Sequence, residues 1–174
     1  MAVLIYPFLA LATAGFVATL AIHVESLLGA TYLFDRFLKI LGPGVFVVFL
    51  PTVLVMNRLT RDFKQRDIWR AALRGCPQWM RRTVWAIFGY AWVGFFALPF
   101  LYGGGMGSKA NTARSMSATL LIFYLVPVAV LYSATQVQRL DESRRCLNSH
   151  RVSPLAKFCE ECGAPVAPSS ITHN

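Results

Sequence analysis

Asn57 to Arg82 reads NRLTRDFKQRDIWRAALRGCPQWMRR. It carries eight of the 17 basic residues: Arg58, Arg61, Lys64, Arg66, Arg70, Arg74, Arg81 and Arg82. An apolar run leads into it and another leads out. A short segment this rich in Lys and Arg, held between two membrane spans, resists translocation and stays on the cytoplasmic side. The stretch therefore orients whatever lies on either side of it.

Composition supports the membrane reading. Of the 174 residues, 56% are apolar and 14% charged, well below the quarter or so of charged residues in soluble domains. The formal charge of +9 then reads as basic loops facing anionic headgroups, not as a nucleic-acid footprint.

Upstream, residues 1–22 form a first predicted span, about as long as a bilayer core needs. A basic n-region is missing and the apolar run exceeds a signal-peptide core, so a retained span is expected. Ala10, Ala14 and Ala18 share a stripe with Gly15 beside it, and small residues let a neighbouring helix approach. Residues 23–42 mix Phe37, Leu38 and Ile40 with Asp35, Arg36 and Lys39, as an amphipathic helix at the outer interface would. Gly42-Pro43-Gly44 is expected to break the chain. The second span, about 43–56, is short. Either it borrows Phe37–Leu41 or it is kinked, with Pro51 removing a backbone donor.

Within the basic stretch, Asp62, Arg66, Arg70 and Arg74 recur every four residues, so the second span is predicted to continue as a cytoplasmic helix. Gly75-Cys76-Pro77 should stop it. Trp79, Trp85 and the Arg81-Arg82 pair belong near the inner headgroups. A third span is expected over 83–102, a flexible glycine-rich connection over 103–115, and a fourth span over 116–134. The inner segments 57–82 and 135–174 hold 13 Lys and Arg; the two outer connections hold four, Arg36, Lys39, Lys109 and Arg114. That bias places both termini inside.

The expected fold is all-α: a four-helix membrane bundle, 1–134, followed by a cytoplasmic tail, 135–174. The tail reads CLNSHRVSPLAKFCEECGAP from Cys146. Cys146, His150, Cys159 and Cys162 make C-x3-H-x8-C-x2-C, four thiolate and imidazole ligands of the kind zinc takes in a tetrahedron. In C-x2-C both sulfurs reach one ion because the chain doubles back, and Gly163 supplies the permissive backbone. So short a segment buries too little apolar surface to hold itself together, so the metal would supply the folding free energy. The competing readings are free thiols or a redox pair Cys159–Cys162; the latter wants a βαβ context that is lacking.

Lys157 to Gly163 resembles the second knuckle of the short bacterial zinc ribbons, K-F-C-x-x-C-G. The first half departs from that pattern, with Cys146-Leu-Asn-Ser-His150 where a second C-x-x-C-G is usual. The resemblance covers about 20 residues, 146–165. It implies a structural Zn2+ and a surface for partners; the expected location of the whole chain is a bacterial inner membrane.

Elsewhere, His23 reads as a satisfied interfacial histidine, since a haem would want a second histidine from another span. His173 lies in the terminal tail, and Cys76 reads as an unmodified thiol. The four apolar runs contain no Asp, Glu, Lys or Arg, which argues against proton-coupled carriers and pumps. Gly-rich phosphate loops, paired carboxylates and a Ser/His/Asp set are all missing, so an enzyme is not expected. The tail's basic residues alternate with Asp141, Glu142, Glu160 and Glu161, which disfavours nucleic acid. The sequence thus points to a non-enzymatic membrane adaptor or accessory subunit. Its expected partners are the bilayer, anionic headgroups at the basic loop, and a protein partner or further copies of itself. A small oligomeric channel or transporter gated through the tail is the alternative.

Overall fold

The computed structural model describes residues 2–61, 63, 65–101, 108–143, 146–150, 152 and 158–166, with backbone alone at 2–4, 97–101 and 138–143. Every regular element among them is helical: α1 (Ala2–Leu27), α2 (Tyr32–Thr60), α3 (Ile68–Ala72), α4 (Gln78–Leu101) and α5 (Lys109–Ser143). A 3-10 turn at Gln65–Asp67 precedes α3. Contacts divide the chain into Met1–Ala134 and Thr135–Asn174.

Among the described residues three helices are long and apolar enough to cross a membrane: Ile5–Leu27, Tyr32–Thr60 and Lys109–Val137. In lipid only a helix satisfies its own backbone polar groups, which is why such runs fold this way. The third predicted span forms a helix, α4, but is not among those three. Its first turns carry Gln78, Arg81 and Arg82, and its side chains are described only as far as Phe96.

In the first unit α5 is the central helix. Over half of its apolar window is buried, against about a fifth for α1 and α2. Leu121, Tyr124, Leu125, Ala129, Val130 and Leu131 are all buried. On α2 the buried residues are Phe34, Leu41, Val45, Val48 and Thr52, one stripe at helical spacing. On α1 they are Ala12, Thr19, Ile22, His23 and Ser26, with Gly15. The expected alanine stripe is not the packing face: Ala10 and Ala14 are exposed and Ala18 half-buried. The helix turns Gly15 inward instead, because Tyr124 packs where a Gly15 side chain would stand.

Gly42-Pro43-Gly44 does not break the chain. Helix α2 runs unbroken for 29 residues through Pro43 and Pro51, so the second span borrows the residues before Gly42. A proline inside a helix leaves the carbonyl four residues before it without its N–H, a cost that membrane bundles tolerate. Close to Pro43 the Tyr124 hydroxyl donates to the Leu41 carbonyl at 2.8 Å, and Gly44 leaves room for that hydroxyl, which a Cβ would meet at 2.7 Å. The connection expected over 23–42 shrinks accordingly to a tight turn after Leu27. Gly29 has φ 88° there, and both Glu25 carboxylate oxygens accept from the Leu33 N–H.

The basic stretch also differs from expectation. Helix α2 ends at Thr60, and the chain turns before restarting as the five-residue α3. Arg66, Arg70 and Arg74 therefore do not share one long helix; Asp62 and Lys64 lie outside the described residues. The stop at Gly75-Cys76-Pro77 is present, and α4 starts directly after Pro77. Of the predicted connection 103–115, the part from Lys109 onward is already α5.

Candidate metal centre

In the tail unit the chain forms two tight turns. In the first, the Ser149 N–H donates to the Cys146 carbonyl at 2.9 Å and the Cys146 N–H to the His150 carbonyl at 3.0 Å. Ser149 adopts φ 64°, a left-handed conformation that brings His150 back toward Cys146. In the second, the Gly163 N–H donates to the Cys159 carbonyl at 2.9 Å and the Cys159 N–H to the Ala164 carbonyl at 2.8 Å. Gly163 has φ 68°, as the C-x2-C turn requires of it. An antiparallel bridge joins Phe158 and Pro165.

These turns bring Cys146, His150, Cys159 and Cys162 together, with their ligand atoms all within 4.8 Å of one another. Cys146 Sγ lies 3.7 Å from Cys162 Sγ, and Cys159 Sγ lies 3.7 Å from His150 Nδ1. A tetrahedron with metal–sulfur bonds of about 2.3 Å has edges of about 3.8 Å. Two of the donor separations match that edge and none exceeds 4.8 Å, so the cluster can hold a metal ion. The tail cysteines that are described are free. Cys146 and Cys159 are buried, while Cys162 and His150 are half-buried.

Backbone dipoles point at the sulfurs. Burial pushes the Cys146 thiol up, opposed by the N–H groups of Asn148 and His150. The Cys162 thiol is pulled down, first by the N–H of Ala164. Thiolate is the ligand form, and N–H groups aimed at sulfur favour it. Sequence pattern cannot show these donors, because any residue supplies an N–H. Nor did it show Glu161, whose Oε2 lies 3.6 Å from His150 Nδ1. That contact is largely exposed and adds little to stability.

His23 and Cys76 lie in the first unit. His23 is buried and bonded through both ring nitrogens: Nδ1 is 2.8 Å from Ser117 Oγ and Nε2 is 2.5 Å from Tyr90 OH. It links α1, α4 and α5. Next to it Ser26 Oγ donates to the His23 carbonyl, Arg114 Nε to the Ser26 carbonyl at 3.0 Å, and Arg114 Nη1 to Asn111 Oδ1 at 2.8 Å. Arg114 is only 8% exposed. It falls within the expected connection 103–115 but occupies the buried first turns of α5. The apolar-run rule missed it because α5 begins well before its apolar run does.

Cys76 is buried; its S–H donates to the Ala129 carbonyl at 3.1 Å, and the neighbouring Gly75 N–H donates to Ser133 Oγ. Burial pushes this thiol up to about 11. His173 lies outside the described residues. No protein-family model matches the chain, and no solved structure does.

Proposed function

We propose that the protein is a non-enzymatic integral membrane adaptor or accessory subunit of the bacterial inner membrane, presenting a zinc-stabilised ribbon-like tail on the cytoplasmic side. The observation that carries this reading is the convergence of Cys146, His150, Cys159 and Cys162 in a chain with three helices fit to span a bilayer. Three thiolates and an imidazole suit Zn2+. Four protein ligands fill a tetrahedron and leave no position for water or substrate, so the ion is structural and would fold the tail. Helix α4 is read as a fourth span that completes the bundle and returns the chain inside. The charge bias of 13 against four then sets both termini in the cytoplasm.

A channel or transporter would need a polar path. Arg114, His23 and Asn111 are buried at one end of the bundle but are bonded to one another's neighbours there. Farther along, Thr19 and Thr52 bond back to their own helices, to the Gly15 and Val48 carbonyls. The adaptor reading is therefore preferred.

Purification from gently solubilised membranes tests it. A protein partner held by the full chain and lost on deleting residues 135–174, together with one zinc per chain, is the expected result. A symmetric homo-oligomer that passes ions in vesicles overturns it.

A further inference from the structure

The basic turn between α2 and α4 is a braced platform with two kinds of arginine. Arg81 works inward: its Nε donates to the Cys76 carbonyl at 3.0 Å and its Nη2 to the Arg74 carbonyl at 3.3 Å. Arg74 lies over the Phe63 ring, 5.6 Å from its centroid. The turn is pinned to α5 through Gly75 and Cys76, and Leu73, Cys76 and Val84 pack with Leu125 and Ala129.

Other arginines here face outward. Arg66, Arg70 and Arg82 are exposed, as is Arg61, and Asp67 makes a 3.5 Å surface pair with Arg66. Between them stands an aromatic pair: Trp69 on α3 and Trp85 on α4 meet edge to face, 6.1 Å apart. Both rings are about half exposed. Arg82 precedes Trp85 by three residues within α4, a spacing that places both on one side of that helix, and Arg70 adjoins Trp69 in α3.

We infer that Arg66, Arg70 and Arg82, ranged about the Trp69–Trp85 pair, form a binding surface for the headgroup of an anionic phospholipid. Tryptophan prefers the level of the bilayer headgroups, being apolar at one end and a donor at the other. Guanidinium matches a phosphate with two parallel donors. A cationic rim beside half-buried indoles therefore meets its anion at the membrane surface. A free nucleic acid or acidic protein would not need the rings to be apolar on their outer face. The platform is braced before any lipid arrives, so little ordering opposes binding. This inference rests on the membrane reading above and is separable from the zinc tail.

The test uses a W79F/W92F chain, in which Trp69 and Trp85 are the two remaining tryptophans, reconstituted in phosphatidylcholine vesicles. Equal amounts of brominated phosphatidylglycerol or brominated phosphatidylcholine are included as quenchers. The anionic lipid should quench about twofold more strongly, and that preference should fade as salt rises. It should vanish in R66Q/R70Q/R82Q and survive in R36Q/K39Q. Equal quenching by the two lipids, a preference insensitive to salt, or a preference that survives the triple change overturns the inference. The salt series on the parent chain decides the matter even where the triple variant fails to fold. Quenching indifferent to lipid charge but relieved by an added acidic polymer also overturns it, in favour of a soluble partner. Failure to float with vesicles would sink the membrane reading itself, whereas loss of zinc with lipid preference intact would sink only the adaptor.

Discussion

Tyr124 on α5 occupies the space that Gly15 leaves open on α1. A methyl group added at Gly15 would overlap the Tyr124 ring, and the same tyrosine reaches past Gly44 to the Leu41 carbonyl. One side chain thus sets how closely three helices approach.

Gly15→Ala should therefore destabilise the bundle by about 1–3 kcal/mol, the usual cost of overfilling a packed site. Tyr124→Phe keeps the ring and loses one hydrogen bond, costing about 1 kcal/mol. Gly15→Ala and Tyr124→Ala should be non-additive when combined, because the overlap disappears. Thermal unfolding in detergent, followed by helical circular dichroism, measures the parent and these four variants.

Zinc should be present at one ion per chain and lost on Cys159→Ser. A strong chelator should make the tail sensitive to protease while the apolar helices remain intact, since the metal holds only the tail. Elemental analysis and limited proteolysis check both points. Zinc that survives Cys159→Ser would exclude this ligand set.

Cys76 should resist alkylation at neutral pH. A thiol pushed up to about 11 from 9.0 has about a hundredfold less thiolate than an ordinary one, and thiolate is the reactive form. Its folded pKa is raised, so the neutral thiol favours the native state below the ordinary value. That contribution is lost as pH rises toward about 11. Reaction rate should climb about tenfold per pH unit across that window. Mass spectrometry of a pH series reads it.

His23→Ala should cost about 1–3 kcal/mol, because it leaves Ser117 and Tyr90 without the ring that joins them. Tyr90→Phe should cost less, since Tyr90 is 39% exposed. Melting temperatures of the two variants rank them.

A thiol reagent that cannot cross membranes should label the tail cysteines of metal-stripped protein only after cells are opened. Labelling in intact cells would invert the orientation argued from Arg58 to Arg82.

The helical, membrane-spanning class was legible because apolar runs of this length admit few structures in lipid. The convergence of Cys146, His150, Cys159 and Cys162 was legible because ligand spacing is short-range. Both concern local chain geometry. What was illegible depended on partners distant in sequence. Pro43 suggested a break, yet α2 runs through it, and Tyr124, 81 residues later, packs there with its hydroxyl on the Leu41 carbonyl. Ala10, Ala14 and Ala18 looked like the packing stripe, yet the face was chosen by where the Tyr124 ring lies. Arg114 looked like loop, because burial of an arginine is intelligible only once the Ser26 carbonyl is known to receive it. The basic stretch showed a helical period, but tight packing of Leu73 and Cys76 against α5 competes with a long free helix and wins.

The contact between Arg114 and the end of α1 also bears on how the chain is made. A guanidinium costs about 2.5–3.5 kcal/mol at the centre of an inserting helix and less toward its ends, and α5 carries Arg114 near its leading end. The acceptor, the Ser26 carbonyl, belongs to the helix synthesised first. A ribosome delivering the elements in their natural sequence therefore presents α5 to a groove already waiting for its charge. A rearranged gene that encodes α5 ahead of α1 would release a helix with nowhere to put its arginine, and should yield mostly degraded or mis-threaded product.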